Sequence, residues 1–131
     1  MKALTPAHRV FLENPFIAVV TVLRPDGSPH STPLWVDVDD EGVSVNTAWP
    51  RAKPRYLAAD PRVSLVVVDP NDELRWLGIS GTATLTEEGA NEQIDRLARK
   101  YRGHDRYMSH REGETRVSVR ISPTFVESRG L

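Results

Sequence analysis

The 131-residue sequence contains no cysteine. Thiol catalysis, cysteine-ligated zinc and iron–sulfur clusters all need a thiolate and are excluded. The absence also fits a reducing compartment. Neither sign of charge is in excess: 17 Lys and Arg stand against 18 Asp and Glu, for a formal net charge of −1. A general nucleic-acid binder needs a field of positive charge, so no nucleic-acid partner is expected and any anion site must be local. No run approaches the roughly 20 apolar residues of a membrane span. The opening Met1-Lys2-Ala3-Leu4-Thr5-Pro6 lacks the apolar core of a signal peptide. A cytoplasmic protein without a membrane partner is expected. Lysine is scarce, with Lys2, Lys53 and Lys100 the only ones among the 17 basic residues.

What is present is ordinary for a globular chain: 39% hydrophobic and 27% charged residues. A single domain over 1–131 is expected, burying roughly two-thirds of the surface of the unfolded chain. Thr5-Pro6 supplies an N-cap and a first-turn proline, and Ala7, Val10 and Phe11 an apolar stripe, so a helix is predicted from about Thr5 to Glu13. Phe16 to Leu23 is apolar on both faces and ends at the turn Pro25-Asp26-Gly27, which predicts a hairpin strand covered on both sides. From His30 to Val38 one strand is read, with His30, Thr32 and Leu34 on one face and Ser31, Pro33 and Trp35 on the other. Pro33 cannot donate to a ladder, which places that strand at an edge, at a bulge, or facing something other than a neighbouring strand at that point.

Val43, Val45 and Thr47 continue as a third strand, and Tyr56 to Ala59 as a short helix. Arg62 to Asp69 and Leu74 to Thr86 are further strands; Gly78 and Gly81 in the latter suggest bending or close backbone approach. A helix opened by Glu87-Glu88 carries Ala90, Ile94, Leu97, Ala98 and Tyr101 on one face and stops at Gly103. Val117, Val119 and Ile121 mark the last strand, with Phe125 and Val126 beyond Pro123. Strands joined by hairpin-length turns do not fit a doubly wound sheet. The fold class is therefore mainly β, an antiparallel barrel of about six strands with peripheral helices.

The sharpest chemical feature is Pro50-Arg51-Ala52-Lys53-Pro54-Arg55, three cations between a strand and the first turn of a helix. Free N–H groups and the dipole at a helix start favour an anion, and Arg or Lys completes a phosphate site. Taken alone, the same string also reads as a solvated basic turn. Other candidates are weaker. His8, His30, His104 and His110 lack metal-ligand spacing, and neither Ser31 nor Ser44 sits in a nucleophile elbow. Asp37, Asp39, Asp40 and Glu41 crowd one turn, a pattern usual for a solvated hairpin tip.

The segments Pro25-Asp26-Gly27-Ser28-Pro29-His30-Ser31-Thr32-Pro33-Leu34-Trp35, Val45-Asn46-Thr47 and Arg51-Ala52-Lys53 stand in an order and spacing that resembles the flavin/deazaflavin oxidoreductases. These are relatives of pyridoxamine 5'-phosphate oxidase with an FMN-binding split barrel. Asp60-Pro61-Arg62-Val63-Ser64 and Gly81-Thr82-Ala83 extend the resemblance along nearly the whole chain, and it is nearest to the actinobacterial branch that uses coenzyme F-420.

The resemblance implies a split β-barrel and a homodimer with cofactors between subunits. It also implies hydride transfer between coenzyme F-420 (an 8-hydroxy-5-deazaflavin) and a small conjugated acceptor. FMN is the alternative cofactor, and a non-catalytic flavin- or haem-binding protein the alternative function. By position, His30, Thr32 and Pro33 would border the ring, and Asn46 and Thr47 would approach its polar edge. Arg51 and Lys53 would hold phosphate, Arg55 would reach an acidic tail, and Trp76 would reach the partner's site. No catalytic side chain is singled out. The branch pattern Arg-x-Lys-x-x-Asn-Leu is broken by Tyr56 in place of asparagine. No extended pyridoxal-phosphate-binding segment follows Phe125 and Val126, so pyridoxamine phosphate oxidation is not expected.

Overall fold

A computed structural model describes residues 3–131; Met1-Lys2, read above for a leader, lies outside it. The described residues form seven strands and three helices: α1 (Pro6–Leu12), β1 (Ala18–Leu23), β2 (Pro29–Leu34), β3 (Val36–Asp39), β4 (Gly42–Trp49), α2 (Ala52–Ala59), β5 (Arg62–Asp69), β6 (Asp72–Thr86), α3 (Ala90–Arg102) and β7 (Thr115–Arg129). All ladders are antiparallel, in the order β2-β1-β5-β6-β7-β4-β3. The sheet curls around one apolar core as a split barrel.

Strand alternation builds that core. Val20 and Val22 of β1, Val43 and Val45 of β4, Leu65 and Val67 of β5, Leu77 and Ile79 of β6, and Val119 and Ile121 of β7 are all buried in it. β6 and β7 are each 15 residues long and pair along most of their length. Their register breaks at Ser80/Gly81, where a Cβ on Gly81 would lie 2.1 Å from the Ser122 carbonyl oxygen. The glycine is there because another backbone is, and the bulge bends both strands into the barrel.

Thr5 caps α1 reciprocally with His8: the His8 backbone N–H donates to Thr5 Oγ1 at 3.2 Å, and the Thr5 N–H to His8 Nδ1 at 3.1 Å. Strand β2 is at one edge of the sheet, as Pro33 requires. The expected six strands become seven because the segment His30–Val38 is interrupted at Trp35, whose ring stacks on Tyr101 of α3 at 5.4 Å. Helix α3 begins at Ala90 rather than at Glu87, since Gly89 takes the left-handed conformation (φ 76°) at the N-cap. β6 begins two residues before Leu74. None of the three helices is long and apolar enough to cross a membrane.

Candidate functional site

Helix α3 lies outside the barrel against β3, β4 and β7, and a polar segment returns from Gly103 to β7. Between this helix, its following segment and strands β2 to β4 opens a cavity of about 690 Å³. Ile94, Leu97 and Ala98 form its apolar wall, and Trp35 and Tyr107, in edge-to-face contact at 6.1 Å, form an aromatic one. Pro33, Asn46 and Arg51 line the same space.

Beneath the cavity is a buried polar network. The Asn46 amide donates to the Ala90 carbonyl at 2.8 Å and to Gln93 Oε1 at 2.9 Å, while Gln93 donates to Ser44 Oγ at 2.8 Å and to Asp37 at 3.2 Å. Arg96 closes the far end on Asp37 at 3.0 Å. Asp37 therefore joins a structural network instead of a solvated tip, because α3 covers it; Asp39 stays at the tip and pairs with Arg120. A network with its members satisfied holds Asn46 in one orientation.

The basic turn resolves into three differently placed cations. Arg51 is clamped by Glu114, with Nε–Oε2 at 2.5 Å and Nη2–Oε1 at 2.7 Å, a fork that holds the Glu114 carboxyl below its usual range. Arg55 is exposed and donates to the carbonyls of Pro50 and Arg51 at 3.1 and 3.3 Å. Lys53 is 8% exposed, and among the described residues its ammonium has neither a carboxylate nor a hydrogen-bond acceptor. Desolvation, followed by the charge of Arg51, pushes its pKa down from 10.5. Helix α2 starts here with no side-chain cap on Arg51, so the first-turn N–H groups of Ala52 and Lys53 add to the positive end.

His30 stands beside this turn. Its pKa is lowered by burial first, then by Lys53 and Arg24, which favours the neutral ring. Arg24 Nη2 lies 3.1 Å from His30 Nδ1. A guanidinium can only donate, so Nδ1 is the acceptor and the ring proton is on Nε2. Tyr56, in place of the expected asparagine, packs edge to face on His30 at 5.6 Å. Thr32 Oγ1, on the same face of β2, is the single buried side-chain oxygen without a hydrogen-bond partner among the described residues.

The residues expected in the site thus fall into groups. Pro33, Asn46 and Arg51 share the cavity; His30, Thr32, Lys53 and Arg55 belong to β2 and the basic turn beside it. Thr47 is buried and alternates with Asn46, so it faces the barrel core and not the cavity. Trp76 lies elsewhere, in a shallow groove of about 190 Å³ with Val19, Val66 and Phe125. Sequence reasoning missed Trp35, Tyr107, Arg24, Arg116 and Glu114. The alternation Arg116, Ser118, Arg120 against Val117, Val119, Ile121 was the available signal that Arg116 leaves the barrel on the α3 side.

The model of the pyridoxamine 5'-phosphate oxidase family matches residues 4–129. A solved F420 reductase superposes with a TM-score of 0.80 at 24% identity, over 95% of this chain and 98% of its own. A conserved hypothetical protein from Mycobacterium tuberculosis gives a TM-score of 0.75 at 25% identity, over 97% and 85% of the two chains. The haem storage protein HutZ from Vibrio cholerae gives 0.69 at 15% identity, over 98% and 96%. With nearly its whole length matched by the family model and its strands in a split barrel, the chain belongs to the pyridoxamine 5'-phosphate oxidase family.

Proposed function

We propose that this protein is an oxidoreductase that binds coenzyme F-420 on the basic turn and exchanges hydride between it and a small conjugated acceptor. The observation that carries the reading is Lys53: a largely buried side chain whose ammonium has no anion among the described residues, in the first turn of a helix without a side-chain cap. A partly desolvated cation without a counter-charge gains from an anionic ligand that completes it. A phosphate does so, with Lys53 Nζ and the N–H groups of α2 as donors. Thr32 Oγ1, which lacks a partner, and the Nε2–H of His30 are further unspent donors for an anionic ligand along β2. Arg55 at the exposed end of the turn suits the acidic tail of a deazaflavin better than the single phosphate of FMN. The likeness to an F420 reductase points the same way.

When bound, the deazaflavin supplies hydride chemistry at its C5 carbon. The chain's own part is to bind and orient: Pro33 and Asn46 border the cavity, and the Asn46 side chain is pinned by Gln93, so its position costs no reorganisation when a ligand arrives. The apolar wall of α3 offers a ligand ring an apolar surface to lie against. We also propose a homodimer, formed through the outer face of β1, β5, β6 and β7. There Val19, Val66, Val68 and Phe125 are 41%, 37%, 42% and 51% exposed, a patch a monomer seldom leaves bare.

Side-by-side titration with coenzyme F-420, FMN, FAD and haem, read by tryptophan quenching, tests the cofactor. F-420 is expected to bind tightest. Tighter binding of haem, or FMN-dependent turnover with oxygen alone, would refute the assignment.

A further inference from the structure

Three guanidinium groups, those of Arg51, Arg102 and Arg116, line the 690 Å³ cavity, and no carboxylate does. Arg51 is spent on Glu114, and Arg102 is exposed at the end of α3. Arg116 is different. It is 6% exposed, and of its five N–H donors two have acceptors among the described residues: Asn46 Oδ1 at 3.1 Å and the Tyr107 hydroxyl at 3.5 Å. Both are neutral. Glu114 is near enough to be felt, but each of its oxygens already accepts from Arg51. The Arg116 guanidinium also lies over the Tyr107 ring at 4.7 Å, which fixes its plane against the aromatic wall.

We infer that this cavity takes a planar aromatic or conjugated molecule bearing a carboxylate, with the carboxylate on Arg116 and the ring against the aromatic pair Tyr107 and Trp35 and the apolar face of α3. The remaining donors of Arg116 supply the bidentate fork that a carboxylate matches. The cavity supplies what the rest of such a molecule needs: edge-to-face aromatics and the side chains of Ile94 and Leu97. A neutral molecule of the same shape would give Arg116 no carboxylate to bond, so discrimination comes from this residue. In assigning the carboxylate to the hydride acceptor, the inference rests on the cofactor reading above; the site itself does not require it.

The test uses 2-naphthoate and its neutral analogue 2-naphthamide as probes of the full chain without cofactor, by calorimetry. Naphthoate is expected to bind at least about tenfold more tightly, the scale of one charge-assisted hydrogen bond. Arg116→Gln should erase that preference, and Arg116→Lys should restore part of it, since charge returns without the fork. Melting temperatures and circular dichroism confirm that each variant is folded. Equal binding of the two probes by the wild type overturns the inference, as does a preference that survives in folded Arg116→Gln. Coenzyme F-420 and FMN are titrated in parallel. Naphthoate preference with cofactor affinity indifferent to Lys53→Ala would sink the cofactor reading and leave the carboxylate site standing. Loss of cofactor affinity in Arg116→Gln equal to the loss for naphthoate, with the two ligands competing, would assign Arg116 to the cofactor and overturn the inference.

Discussion

Replacing Lys53 by methionine should move stability and binding in opposite directions. The side chain is 8% exposed, no carboxylate or acceptor meets its ammonium among the described residues, and burial holds its pKa below 10.5. Methionine has a similar length and fills the same space without a charge to desolvate. The cofactor-free protein should therefore gain about 1 kcal/mol, as stabilising changes at functional sites commonly do. For a chain of this size that is a rise of about 4 °C in Tm. Cofactor binding should instead lose about 1.5–3 kcal/mol, or ten- to a hundredfold in affinity, because a charge-assisted hydrogen bond to phosphate disappears. The pH dependence has a defined sign. Between the lowered folded pKa and 10.5 the unfolded chain holds a proton that the folded chain does not, so stability rises with pH across that window. Lys53→Met should remove that rise. Wild-type cofactor affinity should fall over the same window as the ammonium is lost. Differential scanning calorimetry and fluorescence titration at several pH values measure all of this. A lower Tm with unchanged affinity would show that Lys53 is a structural residue and that the phosphate lies elsewhere.

Glu114→Gln should release Arg51 from its fork and tighten phosphate binding by about threefold; weaker binding in a cofactor titration would mean that the pair acts as a unit. Lys100 donates to the carbonyls of Leu12 and Val36 at 2.6 and 2.7 Å, yet burial pulls its pKa down to about 8. Stability should accordingly rise between about pH 8 and pH 10.5, and urea titrations of Lys100→Met should lose that component. Gly81→Ala should cost about 2–3 kcal/mol, since the new methyl meets the Ser122 carbonyl, a backbone atom that cannot turn aside. An unchanged melting temperature would show that β6 and β7 separate there without penalty.

Which parts of this structure were legible in the sequence follows from the range of the forces involved. Alternation along Arg62–Asp69 is a local signal, and the strand has those ends. Thr5-Pro6 caps a helix through its own neighbours, and the helix starts there. Pro33 excludes a ladder bond by its own covalent structure, and β2 is an edge. The break at Trp35 is not local: it comes from stacking on Tyr101, which sequence distance hides. The site divides in the same way. The cations of the basic turn were visible as a string, but their chemical difference was not. Arg51 and Glu114 are 63 positions apart, and Arg116 and Asn46 are 70 apart. They meet because β4 pairs with β7, which sets Asn46 opposite Ser118 and Ala48 opposite Arg116.

That pairing assigns the three basic side chains near the cavity three different states. Arg51 has its carboxylate; Arg116 has neutral acceptors and an aromatic ring; Lys53 has nothing among the described residues. Neither of the last two has a carboxylate bonded to it among the described residues, and a partly desolvated cation gains from an anionic partner. The two exceptions lie in different places: Lys53 in the first turn of α2, Arg116 in the lining of the aromatic cavity. A single elongated ligand with one anionic group would satisfy one of them. Two separate anionic groups, one a phosphate on the turn and one a carboxylate in the cavity, satisfy both, which is the arrangement an enzyme needs when it brings a cofactor and its acceptor together.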